Sequence, residues 1–165
     1  MFKKIAIATP LAVLALSSSM AFAAGEARHS ISLVASVPTK EFHVLPVDPD
    51  LIVKDQVLSY NPVSGDLSTL RAQFDTKNTN GSIAASLESE AFLSNGADAD
   101  KVPLTVSFNG KALSLTPEEV VSEGESTPGK RVDLVIAPTK PTTGGYKPGD
   151  YTGAVTMIFD AVPTP

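Results

Sequence analysis

The side chains able to do chemistry are few, and their spacing does not suit it. Cysteine is absent, which removes thiolate nucleophiles, thiolate metal ligands and disulfides together. His29 and His43 are the two histidines, and they are not at ligand spacing. Asp48, Asp50 and Asp55 set carboxylates close together as a calcium loop does, but Pro49 and the missing central glycine break that pattern. Glu118, Glu119, Glu123 and Glu125 form an acidic run, read as a solvated loop rather than as paired catalytic carboxylates. Ser64-Gly65 and Ser94-Asn95-Gly96 are turn sequences without the frame of a nucleophile elbow. Asn80-Gly81-Ser82 fits a glycosylation sequon by pattern, and is read as a turn. No catalytic, cofactor-binding or metal-binding residue is assigned. With 13 Lys and Arg against 18 Asp and Glu, the chain carries a formal net charge of -5, which argues against nucleic acid as a partner.

The elements that remain must therefore carry a binding or structural role. At 165 residues and 42% hydrophobic, the chain suits one domain with a real core. Its first segment reads as an export signal: Lys3 and Lys4, an apolar run from Ile5 to Leu16, then Ala21-Phe22-Ala23. Charge, apolar stretch and small-residue cleavage site come in the order of a secretory signal peptide, and the run is too short for a permanent membrane anchor. Cleavage after Ala23 leaves residues 24–165, with eleven basic against eighteen acidic side chains, a net of -7.

The rest reads as strands. Val102, Leu104, Val106 and Phe108 alternate with polar or proline positions, the period of a half-buried strand. Asn109-Gly110 comes next as a hairpin turn, because both residues tolerate positive φ. Leu113 and Leu115 resume the alternation. Leu70, Ala72 and Phe74 mark an earlier strand, Asn80-Gly81 a turn, Ile83, Ala85 and Leu87 the next strand, and Val132, Leu134 and Ile136 a later one. Pro117 to Val121 reads as one short helical turn. Short strands between Gly, Pro and Asn clusters indicate a β-sandwich. The long connection from Pro138 to Gly149 suits Greek-key topology. A lipocalin-like barrel is the alternative, though it would need more strands and longer hairpins.

The two ends stand out. Ile31, Leu33, Ala35 and Val37 point one way, Ser32, Val34 and Ser36 the other, and Pro38 hinges this short strand to the body of the chain. It reads either as the first strand of the sandwich or as a strand for another chain. At the other end, Asp150 to Phe159 puts Tyr151, Gly153, Val155, Met157 and Phe159 on one face. Pro163 and Pro165 then forbid continuing as a central strand, so an apolar strand lies last, with nothing after it to finish its sheet.

Gly149-Asp-Tyr-Thr-Gly-Ala-Val155 resembles the C-terminal Gly-x-Tyr-x-Gly-x-Val pattern of chaperone–usher pilins. Ile31-Ser-Leu-Val-Ala-Ser-Val37 resembles the donor strand of the alternate chaperone–usher, or class 5, major pilins of the colonisation-factor type. Leu58-Ser-Tyr-Asn-Pro62 with Leu70-Arg71, and Val102-Pro-Leu-Thr-Val-Ser-Phe-Asn-Gly110, are similar to two further segments of that group. At 17.2 kDa the acidic chain is most similar to its cable-type major pilins. The resemblance implies an incomplete immunoglobulin-like sandwich with three parts: a signal peptide 1–23, a leader and donor strand 24–37, and a pilin domain 38–165. It implies a homopolymer of identical subunits in a cell-surface fimbria, exported through the periplasm. A periplasmic chaperone, an outer-membrane usher and a minor tip adhesin are the other implied partners, with a host receptor unnamed. Ile31, Leu33, Ala35 and Val37 would enter a groove formed beside Tyr151, Val155, Met157 and Phe159. The resemblance also draws attention to Arg71 as a receptor contact, against its plain reading as a solvated strand-edge arginine. A monomeric secreted adhesin or carbohydrate-binding sandwich, and an exported hydrolase, are the competing readings.

Overall fold

The structure, a computed structural model, describes residues 41–142 and 144–164. The signal, leader and donor-strand expectations on residues 1–37 lie outside the described residues.

Eleven strands are described: β1 (Phe42–Pro46), β2 (Tyr60–Asn61), β3 (Asp66–Leu67), β4 (Leu70–Asn78), β5 (Gly81–Leu87), β6 (Phe92–Leu93), β7 (Val102–Phe108), β8 (Lys111–Ala112), β9 (Glu118–Val121), β10 (Lys130–Pro138) and β11 (Met157–Pro163). Two single helical turns, α1 (Asp50–Val53) and α2 (Glu123–Ser126), and a 3-10 turn at Asp98–Asp100 interrupt them. One sheet runs β1-β4-β10-β7-β6, with β8 paired to β7; the second runs β11-β5-β9; β2 and β3 form a separate small hairpin. All pairings are antiparallel.

The period-two pattern explains the layers. Val132, Leu134 and Ile136 turn into the core, as do Phe74, Val106 and Phe108, while Ile83, Ala85 and Leu87 meet them from the second sheet. On the outer face β4 presents Arg71, Gln73, Asp75 and Lys77, and β10 presents Arg131 and Asp133. Arg131 lies opposite Asp75 and donates to both carboxylate oxygens at 2.7 and 2.8 Å. The expected β7–β8 hairpin forms at Asn109-Gly110, with φ of 50° and 77°, the mirror-image turn whose twist matches its strands. The turn falls at Thr79-Asn80, one residue earlier than expected, and carries the chain from β4 in the first sheet to β5, which opens at Gly81, in the second. The long connection after β10 also crosses between sheets, as a Greek key requires. Two separate facing sheets make this a sandwich and not a barrel.

Three expectations need correction. Pro117 to Val121 is not a helical turn: Val120 and Val121 are buried in β9, which pairs with β5. The need to cover the second sheet's edge overrides weak local propensity. The last strand begins at Met157, not Asp150, and continues through Pro163 opposite Gly81. Proline is tolerated there because β11 is at the sheet edge and its missing N–H faces outward. The acidic run also differs from a loop: Glu118 and Glu119 lie exposed on β9, Glu123 and Glu125 exposed on α2.

Candidate functional site

The segment before β11 explains the late start of the strand and builds the site. Thr152 pairs with Ser94 beside the first sheet, its N–H donating to the Ser94 carbonyl at 2.9 Å and its carbonyl accepting from Ser94 N–H at 2.8 Å. Four residues later the Thr156 carbonyl accepts from Glu88 N–H at 3.0 Å, and the chain enters the second sheet. Gly153 permits this crossing: a Cβ there would lie 2.3 Å from the Phe92 carbonyl oxygen, inside any tolerable contact.

Where the chain switches sheets, the two layers do not close. An apolar cleft of about 420 Å3 opens between Leu70, Phe74, Leu104, Leu134 and Ile136 of the first sheet, Leu51 and Leu58 of the segment after β1, and Val155 and Met157. A second cavity of about 500 Å3 continues it between Val57, Leu58, Tyr60, Leu67 and Leu93 and residues Gly149 to Gly153. Asp55, Gln56, Leu58, Leu93 and Gly153 line both. β11 pairs on one side with β5, and among the described residues its outer edge has no strand beside it. An edge of this kind presents a row of backbone donors and acceptors next to apolar surface.

Tyr151, Val155, Met157 and Phe159 are each half-buried, but only Met157 and Phe159 lie on β11. They divide the work. Val155 and Met157 line the first cavity and Tyr151 the second. Phe159 goes deeper, 4.9 Å from the Phe108 ring and 6.4 Å from Phe74. The Tyr151 hydroxyl donates to the Lys147 carbonyl at 3.0 Å, fixing the loop that precedes the crossing. Sequence reading missed the opposite wall. Leu51, Leu58, Leu93 and Leu104 show the same alternation or isolation as core residues, and only the fold reveals that one side of each faces a cleft. Arg71 is not part of this constellation. It sits exposed on β4 opposite Val135, on the face away from Leu70 and Phe74. His43, on β1, and Asp48, Asp50 and Asp55, beside α1, are not gathered into a metal site. Among the described residues no three potential metal ligands stand together, and every buried side-chain nitrogen or oxygen has a hydrogen-bond partner. The cleft is thus an apolar slot beside a backbone edge, suited to an extended chain.

The β2–β3 hairpin is held at the end of the slot. Lys140 pairs with Asp66 at 2.7 Å and donates to the Ser64 carbonyl at 2.9 Å, while Tyr60 and Tyr146 meet edge to face at 6.3 Å. The Lys140 hydrogen bond holds the Asp66 carboxyl below its ordinary range, and the same bond raises Lys140. Burial, first, raises the Tyr146 phenol.

Comparison with known proteins points the same way. The solved structure of the CooA pilin subunit from enterotoxigenic Escherichia coli superposes with a TM-score of 0.56 at 20% identity, over 74% of this chain and 90% of that one. This places the fold among pilin sandwiches. No curated protein matches the sequence. The profile of the family described as CS1 type fimbrial major subunit matches residues 27–160. Spanning most of the chain, and agreeing with an all-β sandwich that carries an open-edged apolar slot, it shows that this chain belongs to the CS1-type fimbrial major subunits.

Proposed function

We propose that this major pilus subunit polymerises by donating Ile31 to Val37 into the slot beside β11 of the next copy. The observation that carries the reading is the outer edge of β11, unpaired among the described residues, over an apolar cleft. Seven residues, Ile31 to Val37, match the seven of β11 in length. Their apolar face, Ile31, Leu33, Ala35 and Val37, suits the cleft, and their backbone suits the edge.

Topology selects the direction. β4 starts at Leu70 by the slot and ends at Asn78. β11 starts at Met157 opposite Leu87 and ends at Pro163 opposite Gly81. The domain therefore has a slot end and a corner end, and its N-terminal extension leaves from the corner: Phe42 lies opposite Asn78, and the Glu41 carbonyl accepts from Thr79 N–H at 2.8 Å. A strand running antiparallel to β11 finishes at the slot end of one subunit and continues into the corner end of the next. A parallel strand would finish at the corner end instead, where the accepting subunit's own extension already leaves, and three corners would have to share one place. Antiparallel donation gives an open head-to-tail chain, which grows as a fibre.

On this reading residues 1–23 are a signal peptide, 24–37 the leader and donor strand, and 38–165 the pilin domain. The subunit passes through the periplasm, where a chaperone covers the slot until an outer-membrane usher exchanges it for a neighbour's strand. A minor adhesin caps the tip, and the role of the chain itself is structural rather than catalytic. The test is titration of a synthetic Ser30–Val37 peptide into a subunit whose residues 24–37 are deleted. Saturable binding with a rise in melting temperature is expected. A Leu33→Asp peptide that binds equally well would refute the assignment.

A further inference from the structure

Several large apolar side chains face water at the slot end, and three of them line its cavities. Ile52, Val57 and Tyr60 are 71%, 82% and 54% exposed. Single exposed hydrophobics are ordinary, but these line two adjoining cavities. Ile52 lines the first cavity, Val57 and Tyr60 the second, and the cavities share the wall of Asp55, Gln56 and Leu58 between them. A strand lying on the cleft floor would fill the space above Leu70, Leu104, Leu134 and Ile136 and leave the outward side of this rim bare. An apolar rim next to a binding slot marks an interaction surface.

Chain length decides what reaches it. From Val37 to Glu41 there are four residue steps, a span of at most about 14 Å. The Glu41 backbone is itself fixed to the corner by Thr79. A copy that donates its strand antiparallel to β11 must therefore hold its own corner within that distance of the slot end it fills. The corner exposes Thr79, Asn80 and Pro128, with Val162, 40% exposed, close by because Thr164 N–H donates to the Asn80 carbonyl at 2.9 Å.

We propose that the rim of Ile52, Val57 and Tyr60 is a second contact between subunits, covered in the fibre by the corner of the next copy around Asn80 and Pro128. This rests on the strand-donation reading and adds to it. The strand ties successive subunits together, and the rim contact fixes the angle between them. Without it, the link from Val37 to Glu41 would be a hinge at every subunit.

The absence of cysteine makes the test direct. Fibres assembled from subunits carrying Val57→Cys together with Asn80→Cys, or Ile52→Cys together with Pro128→Cys, are treated with a short bis-maleimide and boiled in detergent. A ladder of covalent multimers is expected from at least one pair, with single-cysteine fibres giving monomer. Independently, Pro128→Glu, at the corner and outside both cavities, should leave the affinity for the Ser30–Val37 peptide within twofold while lowering the temperature at which fibres dissociate. No ladder from either pair, or Pro128→Glu fibres dissociating at the native temperature, overturns the contact. Failure of the native subunit to bind the peptide is a separate result: it overturns strand donation, and the rim contact with it.

Discussion

Supplying the donor strand in cis tests the groove most severely. The strand should be grafted after Thr164, since β11 runs through Pro163. A short flexible turn and then Ser30 to Val37 would fold back from the corner end to the slot end, antiparallel to β11. Burying Ile31, Leu33 and Val37 contributes about 1.5–3 kcal/mol each, or roughly 6 kcal/mol. Ladder hydrogen bonds at about 1 kcal/mol each add roughly 6 kcal/mol over one strand. Ordering seven residues costs roughly 9 kcal/mol. The net, about 3 kcal/mol, should raise the melting temperature of the subunit lacking residues 24–37 by roughly 6–12 °C. Leu33→Asp in the graft loses about 2 kcal/mol of burial and sets an unpaired carboxylate against Leu70 and Leu134, a cost of several kcal/mol more. That removes the whole gain, whereas Ser32→Asp, on the opposite face, should keep it. Calorimetry or circular dichroism on the three grafts and the deleted subunit reads this directly. If the three grafts melt together, the slot beside β11 is not where the strand goes.

The same geometry sets further outcomes. Gly153→Ala should destabilise the subunit by about 2–4 kcal/mol, because its methyl has no space beside the Phe92 carbonyl; chemical denaturation measures this. Asp66, held below its ordinary pKa by Lys140, contributes stability above the usual carboxylate range that is lost as pH falls through its lowered value. The raised Lys140 contributes below the usual lysine range and loses this as pH climbs through its own raised value. Limited proteolysis of residues 59–68 should therefore be slow at neutral pH and faster at both extremes, and a rate flat with pH would remove the clamp. Arg71→Ala should change stability by less than about 0.5 kcal/mol, since the side chain is exposed, so any loss of adhesion by fibres that carry it reports recognition rather than folding.

Most of the fold is legible because period two survives burial. Val132, Leu134 and Ile136, like Val106 and Phe108, could not exchange faces without moving charged neighbours such as Arg131 and Asp133 into the core. Asn109-Gly110 is legible for a local reason, its two positive φ values. Where reading failed, tertiary demand decided the matter. Val120 and Val121 come after Pro117 and two glutamates, a start that suits a helical turn as well as a strand, and only the bare edge of β5 settles it. The alternation from Tyr151 to Phe159 is unbroken in sequence, yet the chain changes sheets inside it. The signal is Gly153, whose small size reads as part of the pattern and acts through its contact with Phe92.

The site was legible from one side only, and the physics explains why. A groove that awaits a strand has the chemistry of a core, so Leu58, Leu93 and Leu104 carry the same signal as Leu134. What distinguishes them is the absence of a partner, and an absence has no residue type. It shows in sequence only where patterning outruns what the domain can bury, as at Met157 and Phe159, in a strand with an apolar face whose outer edge has no neighbour among the described residues. The rim is harder still. Ile52 lies within Leu51-Ile52-Val53 and Val57 beside Leu58, on either side of Lys54, Asp55 and Gln56, with no period to mark them, and they acquire meaning only when the cleft beneath them and the four-residue reach from Val37 to Glu41 are considered together. Such residues answer to the geometry of the fibre rather than of the subunit, so their apolar character is a cost to the free chain that assembly alone offsets.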